Sequence, residues 1–499
     1  MGHAGGSEWY TPGVSPKGSS PVQKFERFVG LLLLGLAALG AILVGLSAAT
    51  IFGTPGLDES NSTIMLGVWK LLYDTSAPPP VVIVGAAGLG LLLAAAVALV
   101  ERRVATRARR SEDARRMPLA PKLIMAETRG DYAGPVTITV LIPAHNEDGC
   151  IAATIASLRA QSRCPERIIV VADNCTDDTV VIARAAQVEV VETVGNTKKK
   201  AGALNQVLPV VLGRQGANDT VMIMDADTTL GQGFLAAAVR RLTDDRALTA
   251  VGGLFYGEEK AGLLGQFQRN EYTRYAREIS RRRGRVFVLT GTASIFRPRA
   301  LRTVAAERGR AIPGVPGDVY DTLVLTEDNE LTLAIKSLGG LMASPPQCTV
   351  VTEVMQTWRT LWAQRLRWQR GAVENLGDYG LRPAVMRNWA QQLGIGYGVI
   401  AIVGYLALIV VMLLALDKWV WFPFWLAVGC LFASERVVTV WRGGWRARIL
   451  ALTLFPELAY SLVLNAVFVK GILDIAFRRQ ANWKHVEQRP APRPTRGGA

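Results

Sequence analysis

Long apolar runs occur at both ends of the chain and are missing from its middle. Two of them, residues 28–52 and 81–100, lie near the N-terminus, and three more follow at residues 391–416, 419–433 and 449–477. A helix of about 20 apolar residues is long enough to cross a bilayer. The pattern therefore predicts at least four membrane crossings that flank a domain without any.

Charged residues beside these runs predict the orientation of the chain. The stretch that follows the second run, ERRVATRARRSEDARR, contains seven Arg. By the positive-inside rule, this stretch and the domain after it face the cytoplasm. Pro456 and Glu457 interrupt the last run, which a re-entrant helix, an interfacial helix or a short pair of helices would each explain. The number of C-terminal crossings stays open for this reason.

The middle of the chain alternates between two hydrophobic patterns. Short runs rich in β-branched residues predict strands at VTITVLIPA, RIIVVAD, VEVVET, TVMIMDAD and RVFVLTG. Stretches such as CIAATIASLRAQ and GFLAAAVRRL predict helices between them. Strands that alternate with helices favour a Rossmann-like α/β fold with a mostly parallel sheet. Ligands in such folds bind at the carboxyl ends of the strands.

Composition narrows the possible partners. The 499 residues carry a net charge of +15, with 50% hydrophobic residues, five Cys and three His. The Cys form no C-x-x-C pair, which argues against a zinc site or a disulfide framework. The positive charge favours anionic substrates or an anionic membrane surface. Basic residues concentrate beside the predicted membrane helices, so we expect no nucleic-acid partner.

Three acidic clusters fall at the ends of predicted strands. Asp173 follows RIIVVA, Asp225 and Asp227 follow VMIM, and Glu327 and Asp328 open the helical stretch NELTLAIKSLG. Each cluster taken alone has a simple structural explanation as a turn, a chance pair or a favourable helix N-terminus. Their common placement at strand ends predicts that they form one site.

The carboxylate pair suits a metal site. Asp225 and Asp227 bracket one residue at a strand end, and Mg²⁺ or Mn²⁺ prefers such oxygen ligands. The cation would offset the repulsion between the two carboxylates and would take the oxygens of a diphosphate. A carboxylate across the site could accept a proton from an incoming hydroxyl. The small residues Gly291 and Thr292, at the predicted end of the strand RVFVLTG, would let backbone approach a ligand closely.

Basic and aromatic residues complete the predicted site. Lys200 lies at a loop-to-helix junction before AGALN, where a phosphate is readily bound. Gln364, Arg367 and Trp368 are spaced i, i+3 and i+4 and so share one helix face. Trp is a platform for an acceptor sugar, and Arg is a phosphate ligand. The neighbouring Trp residues also suit a membrane boundary, so we expect this helix to lie on the membrane and face the site.

The order of these motifs is that of a known family. VVAD, Lys200 before AGALN, DAD, TED and QRLRW follow one another between residues 136 and 368. The chain resembles the processive, membrane-integrated family-2 glycosyltransferases, which include the cellulose, chitin, hyaluronan and poly-N-acetylglucosamine synthases. The resemblance implies a cytoplasmic GT-A fold at the plasma membrane. It also implies an inverting, Mg²⁺- or Mn²⁺-dependent transfer from a nucleotide sugar, usually UDP-linked, to a glycan or lipid acceptor.

The resemblance also implies residue roles. Asp328 would be the general base with Glu327 beside it, and Asp227 with Asp225 would bind the metal. The acceptor would contact Gly291, Thr292 and Trp368. The implied nucleotide-sugar-binding residues are Pro143, Glu147, Asp173, Lys200, Asp225, Gln364, Arg367 and Trp368. Asp173 would bind the uracil or ribose side, Lys200 the diphosphate and Asp225 the nucleotide.

The predicted organisation has seven segments. In order they are an N-terminal tail (1–27), two transmembrane helices (28–101), a basic linker (102–133), the GT-A domain (134–354), amphipathic interface helices (355–386), C-terminal transmembrane helices (387–478) and a Pro/Arg-rich tail (479–499). Asp173-Asn174-Cys175 departs from the Asp-Asp or Asp-Gly-Ser of many family members, so the nucleotide preference stays open. Two alternatives also stay open: transfer of a single sugar to a membrane lipid, and a non-catalytic membrane scaffold.

Overall fold

The computed structural model describes residues 63–66, 69–72, scattered positions between 81 and 103, 117–120, 135–282, 284, 286–415, 423–477 and 479. The chain divides into two compact units, Met1–Arg103 and Val104–Ala499. In the first unit, β1 (Thr63–Leu66) pairs antiparallel with β2 (Trp69–Leu72). The described positions between 81 and 103 are helical, as predicted for 81–100. The predicted run 28–52, the N-terminal tail and most of the basic linker and C-terminal tail lie outside the described residues.

The second unit is built on two sheets. Its strands are β3 (Thr137–Ala144), β4 (Arg167–Ala172), β5 (Glu189–Glu192), β6 (Asp219–Met224), β7 (Thr229–Leu230), β8 (Leu248–Gly252), β9 (Leu254–Gly257), β10 (Ala293–Phe296), β11 (Leu341–Ala343) and β12 (Thr349–Thr352). Seven form a sheet of order β11-β8-β10-β6-β3-β4-β5, and three form a small sheet of order β7-β12-β9. In the large sheet, only β10 runs antiparallel to its neighbours. The predicted α/β fold with a mostly parallel sheet is therefore confirmed.

Helices cover both faces of the large sheet. They are α1 (Ile151–Arg159), α2 (Thr179–Ala185), α3 (Lys199–Gly213), α4 (Phe234–Asp244), α5 (Gly262–Arg281), α6 (Pro298–Glu307) and α7 (Glu327–Ser337). Side chains along a strand alternate between faces, so Leu141 joins one hydrophobic core with Leu208 of α3. Its neighbour Ile142 joins the other core with Ile155 of α1. Two buried layers thus hold the strand ends in fixed positions.

The predicted strand RVFVLTG is wrong, and the reason is a side-chain contact. Residues 286–292 are irregular, and the strand β10 begins only at Ala293. The backbone N–H of Leu289 donates to Thr332 Oγ1 of α7 at 2.9 Å instead of to a sheet partner. Leu289 is buried all the same, so its apolar character reflects packing against a helix. Gly291 and Thr292 consequently precede a strand rather than end one.

The C-terminal part of the unit is helical. It contains α8 (Trp358–Tyr379), α9 (Met386–Ala415), α10 (Pro423–Thr439), α11 (Gly444–Leu452) and α12 (Phe455–Ala476). Among the helices that the structure describes, α12 alone is long and apolar enough to cross a membrane. It packs on α8 at Gly471, where a Cβ would lie 3.7 Å from Leu366 Cδ1. The predicted interface helix and the last apolar run therefore lie side by side.

The interruption of the last apolar run marks a break between two helices. The run 449–477 divides into the end of α11 and the whole of α12, with Glu457 in the first turn of α12. Glu457 is buried and forms an ion pair with Arg274 of α5 at 2.6 Å. Asn270 of α5 donates to the same carboxylate at 3.0 Å. Glu457 therefore anchors the first turn of α12 to α5, and the number of membrane crossings in this run stays a prediction.

Candidate active site

Lys200 contacts two other predicted residues that come from distant parts of the sequence. Its Nζ lies 2.5 Å from Asp225 Oδ1, just past the end of β6, and 3.3 Å from Glu327 Oε1 at the start of α7. Burial lowers the pKa of Lys200, but Asp225 and Glu327 outweigh it and raise this pKa well above its ordinary value. Lys200 is therefore positively charged at neutral pH and sits between two carboxylates.

Asp328 is held by backbone donors. The N–H of Gly291 donates to its Oδ2 at 3.0 Å, and the N–H of Asn329 donates to its Oδ1 at 2.8 Å. Burial and the charge of Glu327 raise the pKa of Asp328 to about 6. A Cβ at position 291 would lie 3.0 Å from Lys200 Nζ and 3.4 Å from Asp328 Oδ2. A glycine therefore fits this position best.

Glu327 has the opposite shift. Burial tends to raise its pKa, but the positive charges of Lys200 and Arg367 hold that pKa below its ordinary value. Burial and the positive charge of Arg367 also lower the pKa of Lys199. Arg367 of α8 thus lies within electrostatic range of the site. The pKa of Glu327 is thus lowered and that of the adjacent Asp328 is raised, as expected for two carboxyl groups with different roles.

The segment that carries Glu327 packs tightly against α8. A Cβ at Gly371 would lie 2.5 Å from Thr326 Oγ1, so only glycine fits there. One turn further along α8, the amide of Asn375 donates to the Thr326 carbonyl at 3.1 Å. This close contact explains how α8 brings Arg367 to the carboxylates.

Asp227 lies among other acidic groups. Burial, followed by the charges of Asp225 and Glu147, raises the pKa of Asp227 to about 7. Burial is also the main cause of the raised pKa of Glu147, and Glu353 adds to both shifts. Glu353 follows the strand β12, and the sequence prediction missed it. Its signal was the one shared by the other acids, a carboxylate directly after an apolar strand.

The donor set at Asp225 and Asp227 fits a divalent cation in part. Carboxylate oxygens are the ligands that Mg²⁺ and Mn²⁺ prefer, and a cation would relieve the crowding that raises the pKa of Asp227. Within the part of the chain that the structure describes, no three or more acidic, His or Cys side chains are arranged as a metal site. Asp225 and Asp227 alone would therefore supply only part of the oxygen ligands of such a cation.

Asp173 is fixed by neighbours that the sequence did not reveal. It follows β4 and is buried, and its Oδ1 accepts from Thr193 Oγ1 at 2.7 Å and from Asn196 Nδ2 at 2.8 Å. The same amide nitrogen of Asn196 donates to the Lys199 carbonyl at 2.8 Å. Asn196 therefore ties Asp173 to the start of α3, next to Lys200.

The remaining predicted residues lie around this centre. Pro143 is in β3, opposite Val171 of β4. The Thr292 carbonyl accepts from the Asp225 N–H at 3.1 Å. In α8, Gln364 Oε1 is buried and has no hydrogen-bond partner among the described residues. The Trp368 ring lies 4.4 Å from the guanidinium carbon of Arg365.

Apart from Pro143 and Gln364, the predicted residues fall into four kinds of arrangement. The residues in direct contact are Lys200, Asp225, Glu327, Asp328, Gly291 and Thr292. Those that act on this group through their charges are Asp227, Glu147 and Arg367. Asp173 is tied to the group through Asn196, and Trp368 packs on Arg365, a residue that the sequence prediction did not select.

Comparison with known proteins defines the class of this domain. Residues 135–371 match the family model described as glycosyltransferase like family 2. This stretch contains all five motifs that carried the predicted resemblance, from VVAD to QRLRW. Residues 135–371 therefore form a family-2 glycosyltransferase domain, and the predicted resemblance to that family is confirmed.

The relatives are glycosyltransferases as well. The poly-beta-1,6-N-acetyl-D-glucosamine synthase of Staphylococcus aureus (strain MSSA476) is 26% identical over 245 residues, 48% of this chain and 55% of the relative. The chain thus matches about half the length of this curated relative. A mannosyltransferase from Pyrobaculum calidifontis, solved with GDP-Man and Mn²⁺, has 17% identity, a TM-score of 0.44 and coverage of 76% of this chain and 99% of its own. A glucosyl-3-phosphoglycerate synthase from Mycobacterium tuberculosis has 19% identity, a TM-score of 0.32 and coverage of 52% and 84%.

Proposed function

We propose that the protein is an inverting glycosyltransferase that moves a sugar from a UDP-linked donor to a growing polysaccharide at the membrane. The observation that carries the proposal is the contact of Lys200 with Asp225 and Glu327 beside the raised pKa of Asp328. This arrangement combines the Lys200 ammonium, a cation for a leaving diphosphate, with the Asp328 carboxylate, a base for an incoming hydroxyl. Similarity to poly-N-acetylglucosamine synthases makes UDP-N-acetylglucosamine the first donor to test.

The donor diphosphate would be held by positive charge. Asp227, with Asp225, would bind Mg²⁺ or Mn²⁺, which when present stabilises the negative charge of the departing diphosphate. Lys200 and Arg367 would contribute fixed positive charge to the same group. Asp173, oriented by Thr193 and Asn196, would bind the uracil or ribose. Pro143 and Glu147 would border the nucleotide, and Gln364 would help to hold the diphosphate.

Asp328 would act as the general base. Its carboxylate would accept the proton of the acceptor hydroxyl while that oxygen bonds to the anomeric carbon. The bond from this carbon to the diphosphate breaks on the opposite face, so the configuration is inverted. The charge of Glu327 helps to raise the pKa of Asp328 to about 6. A base with a pKa near the working pH is efficient, and the N–H groups of Gly291 and Asn329 keep it oriented.

The acceptor would lie between the base and α8. Trp368, with an exposed fraction of 37%, would provide a platform for an acceptor sugar, next to Gly291 and Thr292. The contact between α8 and the apolar helix α12 supports a site at the membrane surface. We propose a multi-pass protein of the plasma membrane whose catalytic domain faces the cytoplasm, where nucleotide sugars occur.

Release of the nucleoside diphosphate tests this function. The full chain in nanodiscs would be given UDP-N-acetylglucosamine, other UDP-sugars and GDP-sugars, with Mg²⁺, Mn²⁺ or a chelator. We expect release with one UDP-sugar, dependent on metal and lost in Asp328→Asn. Gel analysis of the labelled product then distinguishes polymer from a singly glycosylated lipid. A wild-type chain that binds no donor in this panel would favour a non-catalytic scaffold.

A further inference from the structure

Arg365 is a buried cation next to the proposed acceptor platform. It lies three residues before Trp368 on α8, and only 5% of its surface is exposed. Its guanidinium carbon lies 4.4 Å from the centroid of the Trp368 ring and 5.5 Å from that of Tyr272. At these distances a guanidinium is attracted to the face of an aromatic ring.

Residues of two other helices, α5 and α12, form the hydrogen bonds that hold the guanidinium of Arg365 in place. Its Nη2 donates to Glu271 Oε2 of α5 at 2.9 Å. The hydroxyl of Tyr460, in α12, donates to the same carboxylate oxygen at 2.6 Å. Rotation of the guanidinium would break its hydrogen bond to Glu271 of α5. The position of Arg365 is therefore set from outside its own helix.

The hydrogen bonding of Arg365 is incomplete. Within the part of the chain that the structure describes, its buried Nε and Nη1 have no hydrogen-bond partner. Buried donors without acceptors cost free energy, so hydrogen bonding alone does not account for this placement. The guanidinium carbon lies 4.4 Å from the centroid of the Trp368 ring, so the ring face gives this buried cation a further favourable contact.

Trp368 is well suited to being held in this way. Arg365 covers part of its indole, yet 37% of the residue surface stays exposed. A sugar stacks on an indole only if the ring has a defined orientation. A ring that is already held loses less conformational freedom on binding. Arg365 can thus improve acceptor binding without touching the acceptor.

We propose that Arg365 is a positioning residue that holds the indole of Trp368 in the orientation required by the acceptor. The inference rests on the proposed function, in which Trp368 contacts the acceptor sugar. Through Glu271 and Tyr460, the same contact makes acceptor binding sensitive to the packing of α8 against α5 and α12. The donor contacts, which involve Lys200 and Asp225, are not part of this arrangement.

Kinetics of Arg365→Met test the proposal. The full chain in nanodiscs would receive UDP-N-acetylglucosamine and a soluble β-1,6-linked N-acetylglucosamine pentasaccharide. We expect the acceptor KM to rise about tenfold, the scale of one cation–π contact, while the donor KM changes less than about twofold. The matched control is Arg370→Met, since Arg370 lies on the same helix and pairs with Glu374. Equal changes in both KM values, or no change in the acceptor KM, would overturn the proposal.

A spectroscopic readout separates this inference from the proposed function. In protein labelled with 5-fluorotryptophan, the ¹⁹F resonance of Trp368 is assigned by its loss in Trp368→Phe. We expect Arg365→Met to shift or broaden it, and Arg370→Met to leave it in place. An unshifted resonance in Arg365→Met rejects the positioning role even if the chain has no activity. Absence of UDP release by the wild-type chain rejects the proposed function instead.

Two milder variants keep the test valid if Arg365→Met does not fold. Glu271→Gln weakens the hold on the guanidinium, and we expect it to raise the acceptor KM and move the Trp368 resonance in the same direction. Arg365→Lys keeps the charge but loses the flat group that stacks on the ring. We expect Arg365→Lys to restore folding but not the wild-type acceptor KM. Recovery of the full wild-type KM by Arg365→Lys would contradict a role for stacking.

Discussion

Asp328 and Gly291 are joined by a 3.0 Å hydrogen bond from the backbone N–H of the glycine to the carboxylate. The same glycine is so close to Lys200 that an added Cβ would lie 3.0 Å from its ammonium nitrogen. One residue in an irregular segment thus sets the spacing between the proposed base and the proposed diphosphate ligand. The site depends on backbone placement as much as on its charged side chains.

Gly291→Ala tests this spacing. The added methyl would lie 3.0 Å from Lys200 Nζ and 3.4 Å from Asp328 Oδ2, so a catalytic group must shift slightly. Because rate is sensitive to such misplacement, we expect kcat to fall by up to about tenfold while the chain stays folded. Gly213→Ala is the control, since a Cβ there meets nothing within 4 Å. Equal kcat values for Gly291→Ala and the wild type would show that the spacing is not critical.

The pH dependence of kcat follows from Asp328. Its pKa is raised to about 6, and a general base works only when it is deprotonated. We therefore expect kcat to be constant above this pH and to fall about tenfold per pH unit below it. In Glu327→Gln the neighbouring negative charge is gone, so the acid limb should move to lower pH. A profile that stays flat down to pH 5 in the wild type would argue against Asp328 as the base.

Lys200 and Lys198 differ in their surroundings although they are two residues apart. Lys200 contacts Asp225 and Glu327, whereas Lys198 is exposed. Loss of one electrostatic contact to developing charge costs about 10²–10³ in kcat. We expect a loss of this size in kcat/KM for the donor in Lys200→Met and little change in Lys198→Met. Similar losses in both variants would mean that general positive charge, rather than the placed ammonium, is what matters.

A buried ion pair under the site predicts a stability difference. Arg308 and Glu330 are almost fully buried and form an ion pair. Glu330 belongs to α7, and the Tyr379 hydroxyl donates to its carboxylate at 2.5 Å. Glu330→Gln leaves the Arg308 charge buried without its partner, which costs about 3–5 kcal/mol. Tyr379→Phe removes one hydrogen bond and should cost about 1–3 kcal/mol. Thermal unfolding of both variants checks the order, and a larger loss in Tyr379→Phe would contradict it.

The placement of the central site residues was largely predictable from local sequence. Asp225, Glu327 and Lys200 each follow or precede a clear hydrophobic segment, and parallel α/β sheets bring such positions together. Their residue types then suggest metal, base and diphosphate roles. The roles themselves stay predictions.

What the sequence did not predict depends on contacts between distant segments. Asn196 and Arg365 become important only because folding places them next to Asp173 and Trp368. The mistaken strand at RVFVLTG has a similar cause, since an apolar run packed on α7 has the same composition as a strand. A pattern read along one chain does not distinguish burial by a helix from burial in a sheet.

The contact between Gly371 and Thr326 has a consequence for protein engineering. Only glycine fits at position 371, and Asn375 holds the Thr326 carbonyl from the same helix. The TED segment and α8 therefore form one interlocking module, although about thirty residues lie between Asp328 and Trp358 in the sequence. A chimera that imports the TED segment of a relative should retain its native geometry only if α8 is exchanged with it.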